Sequence, residues 1–86
     1  MDIQTVWHRI KMYEGETFYT KTGVPFTYHT TDRLVMLENT NRSIPYGNFE
    51  KALVVVKPSV VAFQKMNLQG PSYLYGIITD ARITGL

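Results

Sequence analysis

The residues of this chain best equipped for chemistry are His8 and His29, the acidic pair Glu14 and Glu16, Ser72 directly after Pro71, and Asp80 with Arg82. Paired carboxylates are the minimum equipment for acid–base hydrolysis, and a serine nucleophile needs a base within hydrogen-bond reach. Neither arrangement is completed. Glu14 and Glu16 flank Gly15 in a turn signal, where acidic residues are ordinary. Ser72 opens a helix outside any G-x-S-x-G frame, and a hydroxyl there usually satisfies backbone N–H groups. The histidines lack a second ligand at H-x-x-x-H or H-E-x-x-H spacing, so no metal site is expected. Asp80 and Arg82 read as a structural charge pair. Gly23, Gly47 and Gly70 stand alone, without the glycine frames that cradle phosphates. The expectation is a protein that is not an enzyme and holds no cofactor or metal.

What these residue types leave open is recognition, in two forms. Tyr13, Tyr46, Tyr73 and Tyr75 are more aromatic side chains than a core of this size needs, and tyrosine is enriched in interface cores. They are the candidate residues of a protein interface, formed with another protein or with a second copy. The alternative is nucleic acid. A strand face with Tyr19, Thr27 and His29 beside Lys21 and Arg33 combines rings that stack on bases with cations that neutralise phosphates. Tyr19, Lys21, Arg33, Arg42 and Lys51 are the candidate residues for it. A winged-helix arrangement, with the helix from Ser72 to Asp80 in the major groove, is a second route to DNA. That helix offers Thr79, Asp80 and Arg82 but no cluster of residues suited to base edges. An RNP-like segment is also missing.

The elements that must position these residues follow from local pattern. Asp2 can cap a helix carrying Ile3, Val6, Trp7 and Ile10 on one stripe, with Gly15 closing it. Two runs rich in aromatic and β-branched residues, Thr17 to Thr20 and Pro25 to Thr30, flank a Lys21-Thr22-Gly23 break and read as a hairpin. A period of two turns Phe18, Phe26 and Tyr28 toward the helices, with Val24 and Thr20, and leaves Tyr19, Thr27 and His29 outward. Thr31-Asp32 is a turn; Arg33 to Glu38 is a third strand, and Arg42 to Ile44 a short fourth. Pro45 can open a helix carrying Phe49, Ala52, Leu53 and Val56, which must stop by Lys57 because Pro58 restricts the residue before it. The Val54-Val55-Val56 run is a poor helix former and fits a strand as well. Ser59 to Asn67 suits either a helix or a strand. Pro71 opens a last helix with Leu74, Ile77, Ile78 and Ala81 on its stripe, and Tyr73, Tyr75 and Arg82 off it.

A chain of 86 residues fits one domain, residues 1–86, that buries only about 60 per cent of its unfolded surface. The fold expected is α+β, with an N-terminal helix, a three- or four-stranded antiparallel sheet and two or three C-terminal helical segments packed on one face. With 44% hydrophobic and 19% charged residues, the composition is globular. The absence of cysteine rules out disulfides and thiolate chemistry. No signal-peptide pattern and no apolar run near the roughly 18 residues of a membrane span occur, so a soluble cytoplasmic protein is expected. Net charge is +2, a mild bias carried mainly by Arg33, Arg42, Lys51, Lys57 and Lys65.

Taken together, Gly23-Val24-Pro25-Phe26-Thr27-Tyr28 after an N-terminal tryptophan helix, and Gly70-Pro71-Ser72-Tyr73 followed by Asp80-Ala81-Arg82-Ile83, resemble small uncharacterised bacterial and phage-type proteins. The likeness covers most of the chain. It implies a compact, recurring fold and transfers no activity and no functional residue. The reading is therefore a small non-enzymatic binding or accessory protein acting through protein contacts, as a homodimer or an accessory subunit; the alternative is a DNA-binding or RNA-binding accessory domain.

Overall fold

The computed structural model describes residues 1–85, an α+β arrangement in which five helices enclose two small antiparallel sheets. Helix α1 (Ile3–Met12) starts at Asp2, whose carboxylate accepts the Thr5 N–H at 2.8 Å. This is the expected N-cap, satisfying one of the donors a helix start leaves free. Val6 and Ile10 are fully buried, and Ile3 and Trp7 pack half-buried beside them. The Trp7 ring meets Tyr46 and Phe49 edge-on, at centroid distances of 5.1 and 5.8 Å.

The hairpin forms, but its second run divides. Strand β1 (Phe18–Tyr19) pairs with β2 (Pro25–Phe26) in the register Phe18 to Phe26 and Tyr19 to Pro25. Beyond Thr27 the chain leaves that pairing. Strand β3 (Tyr28–Thr31) pairs instead with β4 (Leu34–Leu37), which pairs with β5 (Ser43–Pro45). One continuous sheet is thus replaced by a two-stranded and a three-stranded one. The cause is the brevity of β1. The chain before Phe18 is the turn out of α1, so Tyr28 finds no strand opposite, and its carbonyl accepts the Gly15 N–H at 2.9 Å. Two positions further on, the Glu14 carboxylate accepts the Thr30 N–H at 2.8 Å. The α1–β1 turn therefore occupies the outer edge of β3, as a neighbouring strand would.

The inward parity holds for Phe18, Thr20, Phe26 and Tyr28, all buried, and fails for Val24, which sits exposed in the turn. Phe18 lies 5.3 Å from Tyr28 and 6.2 Å from Phe26 between ring centroids, and the Tyr28 hydroxyl donates to the Ile10 carbonyl at 2.7 Å. Burial pushes the Tyr28 phenol well above its ordinary pKa. The β3–β4 turn is Asp32-Arg33, one residue later than the sequence suggests. Asp32 takes the positive φ of 55° that a tight hairpin demands.

Helix α2 (Tyr46–Leu53) ends three residues before Val56, so Val56 is no part of its stripe. The ambiguous segment resolves as helix α3 (Val60–Lys65), capped by the Ser59 hydroxyl, which accepts the Ala62 N–H at 3.0 Å. Helix α4 (Pro71–Ile78) is central: Leu74, Gly76, Ile77 and Ile78 are buried, and its other four residues are half-buried. A β-carbon on Gly76 would overlap the Tyr19 carbonyl oxygen, so glycine is what lets α4 lie against β1. The expected stripe stops before Ala81, which is exposed and begins a separate helix α5 (Ala81–Thr84). The Asp80 carboxylate accepts the Arg82 N–H at 2.9 Å and restarts the chain there.

Candidate functional site

Each of the four candidate interface tyrosines is half-buried and engaged by its own chain. Tyr46 lies between Trp7 and the Arg33 guanidinium, which stands 3.8 Å from its ring centroid. Tyr73 meets Phe26 edge-on at 5.0 Å, and its hydroxyl accepts from the Asn39 amide at 3.4 Å. Tyr75 lies 5.8 Å below the Lys21 ammonium. Tyr13 packs against the core with the Arg82 guanidinium 5.9 Å away. Among the described residues no two of the four rings stack on each other.

The candidate nucleic-acid residues are likewise spread. Tyr19 is exposed on β1 and Lys21 follows in the turn. Arg33 precedes β4 and Arg42 follows it, so the two stand at opposite ends of that four-residue strand, roughly 13 Å long at the rise of an extended chain. Lys51 is in the last turn of α2. The helix considered for the major groove is α4, with no exposed residue to offer one.

The acidic and basic residues first considered for chemistry serve as struts. Arg82 grips both Asp80 carboxylate oxygens at 2.9 Å, donates to the Thr17 carbonyl at 2.8 Å and lies 3.8 Å over the Phe18 ring. The guanidinium, hydrogen-bonded to the carboxylate, holds Asp80 below the usual carboxylate range. Glu14 is also lowered, first by the Thr30 N–H that it accepts. It stands apart from any pairing with Glu16. His29 Nδ1 lies 3.5 Å from the Glu38 carboxylate, with both side chains largely exposed. His8 is exposed on α1. Among the described residues no three His, Asp or Glu side chains gather at metal-binding distance.

A surface outside both candidate sets stands out. Val54 is 77% exposed, Val56 93% and Val61 57%, in a chain whose other aliphatic β-branched residues are mostly covered. The local reason is the end of α2. After Leu53 the chain runs without a strand partner to Pro58, Val55 turns inward onto the core, and Val54 and Val56 alternate outward. Val56 is also part of a groove of about 190 Å³, lined by Ala52, Leu53, Val55, Val56 and Pro58 and closed by Ile78, Thr79 and Thr84. The signal in the sequence is the valine run itself, a poor helix former that the structure places in neither helix nor strand.

No family model, curated protein or solved structure matches the chain. Among the described residues no helix is long and apolar enough to cross a membrane.

Proposed function

We propose that this chain is a small non-enzymatic binding protein that acts through protein contacts, with the groove and Val56 as its docking surface. The observation that carries this reading is the near-complete exposure of Val56 at the lip of an apolar groove. Covering an aliphatic side chain contributes about 1.5 kcal/mol or more, and the fold recovers little of that for Val54 and Val56. Exposed apolar patches beside a groove mark contact sites. The tyrosines at 13, 46, 73 and 75 are half-buried and do not line this groove.

A photo-crosslinking side chain at position 56, compared with the same group at exposed Thr31, tests this in an extract of the host cell. Discrete protein adducts at 56 and none at 31 are expected. Equal labelling at both positions, or none at either, defeats the reading. Retention of a labelled duplex at about 50 mM salt by the unmodified chain, where phosphate contacts are strongest, would favour the nucleic-acid alternative through Tyr19, Lys21, Arg33, Arg42 and Lys51.

A further inference from the structure

The docking surface has a size, a shape and a charge, and together they restrict its occupant. At about 190 Å³ the groove falls below the roughly 300 Å³ at which small-molecule and cofactor clefts begin. It suits one or two inserted side chains. Its walls are the end of α2, the loop to Pro58, the end of α4 and Thr84 of α5, and no strand contributes to them. An extended peptide would find no ladder of backbone groups to pair with, whereas a helix presents anchors at i, i+3 or i+4, and i+7 to such a groove.

Charge completes the description. From Lys51 to Thr79 the chain contains Lys51, Lys57 and Lys65 and no aspartate or glutamate. All three lysines are exposed, and among the described residues none is in an ion pair. Glu50 borders the segment on one side; on the other, Asp80 is already held by Arg82. A second copy docked on this face through a two-fold axis would bring like-charged rims together. An anionic bilayer would meet the lysines, but the valines lack the aromatic belt residues that seat a protein at a lipid interface.

We infer that the groove between Ala52 and Thr84 takes an amphipathic helix from a partner protein, its apolar anchors beside Val56 and its acidic flank toward Lys51 and Lys57, the chain neighbours of the lining residues Ala52, Val56 and Pro58. This rests on the docking surface proposed above. The probe is a displayed library of peptides of about five helical turns, with leucine fixed at i, i+3 and i+7 and the remaining positions random. Selection on the full chain should enrich aspartate and glutamate over lysine and arginine. Selected peptides should lose at least about tenfold in affinity, an easily resolved 1.4 kcal/mol, on both Val56→Asp and Lys57→Glu, and should bind more weakly as salt rises. Neutral or basic peptides that Val56→Asp rejects would overturn the acidic helix and leave the docking surface standing. If no peptide is selected, or if Val56→Asp binds as the unaltered chain does, both fail. Sedimentation with phosphatidylserine vesicles, in a chain that selects no peptide, would assign the face to a membrane. Because Val56 is almost wholly exposed, unchanged melting of Val56→Asp separates lost docking from lost folding.

Discussion

The seam where α5 meets the β1–β2 hairpin and the face bearing Val54, Val56 and Val61 use their side chains in opposite ways. At the seam one arginine satisfies a carboxylate through two hydrogen bonds, a backbone carbonyl through a third, and an aromatic ring by stacking. At the valine face apolar side chains stand in water while charged neighbours have no partner among the described residues. The first is a place where internal contacts are complete. The second is left incomplete by a chain that elsewhere covers the outer edge of β3 and packs Tyr46, Tyr73 and Tyr75 against its own side chains. A domain of this size has little stability to spare, and Val54 and Val56, left in water, contribute little of it.

Substitutions in the two regions should therefore separate stability from binding, and three of them sharpen or break the contrast. The largest effect is expected from Phe18→Ala, which removes a fully buried ring from under Arg82 and from beside Phe26 and Tyr28. A loss of about 3–5 kcal/mol is expected for a core phenylalanine, read from the midpoint of urea unfolding. A loss below about 1 kcal/mol would mean that the seam is loosely packed and the contrast unfounded.

A smaller effect is expected from Asp80→Asn. Asparagine can still cap α5, so the change isolates the ion pair, which is partly exposed and contributes on the order of 0.5–1 kcal/mol. Its signature is in pH. The pKa of Asp80 is lowered from 3.8 in the folded chain, so its contribution is complete above that value and lost as pH falls through the depressed folded one. Acid unfolding curves of Asp80→Asn should show lower stability at neutral pH and a shallower fall on acidification. Glu14 and Asp2, also lowered, supply slope that remains. Parallel curves for the two chains would remove the ion pair from the seam's account. The smallest effect is expected from Val56→Asp, whose stability should stay within about 0.5 kcal/mol of the unaltered chain, whatever happens to its docking. A large loss on urea unfolding would show that Val56 belongs to the core after all.

Much of the architecture can be read from local pattern, because the residues concerned obey short-range rules. Asp2 caps α1, Pro71 opens α4, and Phe18, Phe26 and Tyr28 alternate inward as the pleat requires. What escapes such reading depends on what lies opposite in space. The division at Thr27 follows from the turn that packs against Tyr28 and Thr30, and the end of the last stripe before Ala81 follows from Asp80 bonding to the Arg82 N–H. The tyrosines are legible as amphipathic rings, but the neighbours that half-cover three of them, Trp7, Arg33, Phe26 and Lys21, are not. The valine run shows the reverse: its poor fit to a helix is legible, whereas its lack of a strand partner and its exposure are not.

The turn that covers the flank of β3 has a consequence for behaviour at high concentration. Glu14 and Gly15 occupy the backbone groups through which a neighbouring molecule would otherwise extend the ribbon, and the opposite flank, β5, is three residues long and ends in Pro45. Clustering of this protein through the β3 edge would then have to proceed by side-chain adhesion. Such clusters should dissolve on dilution, without the irreversible fibrils that a free ladder nucleates.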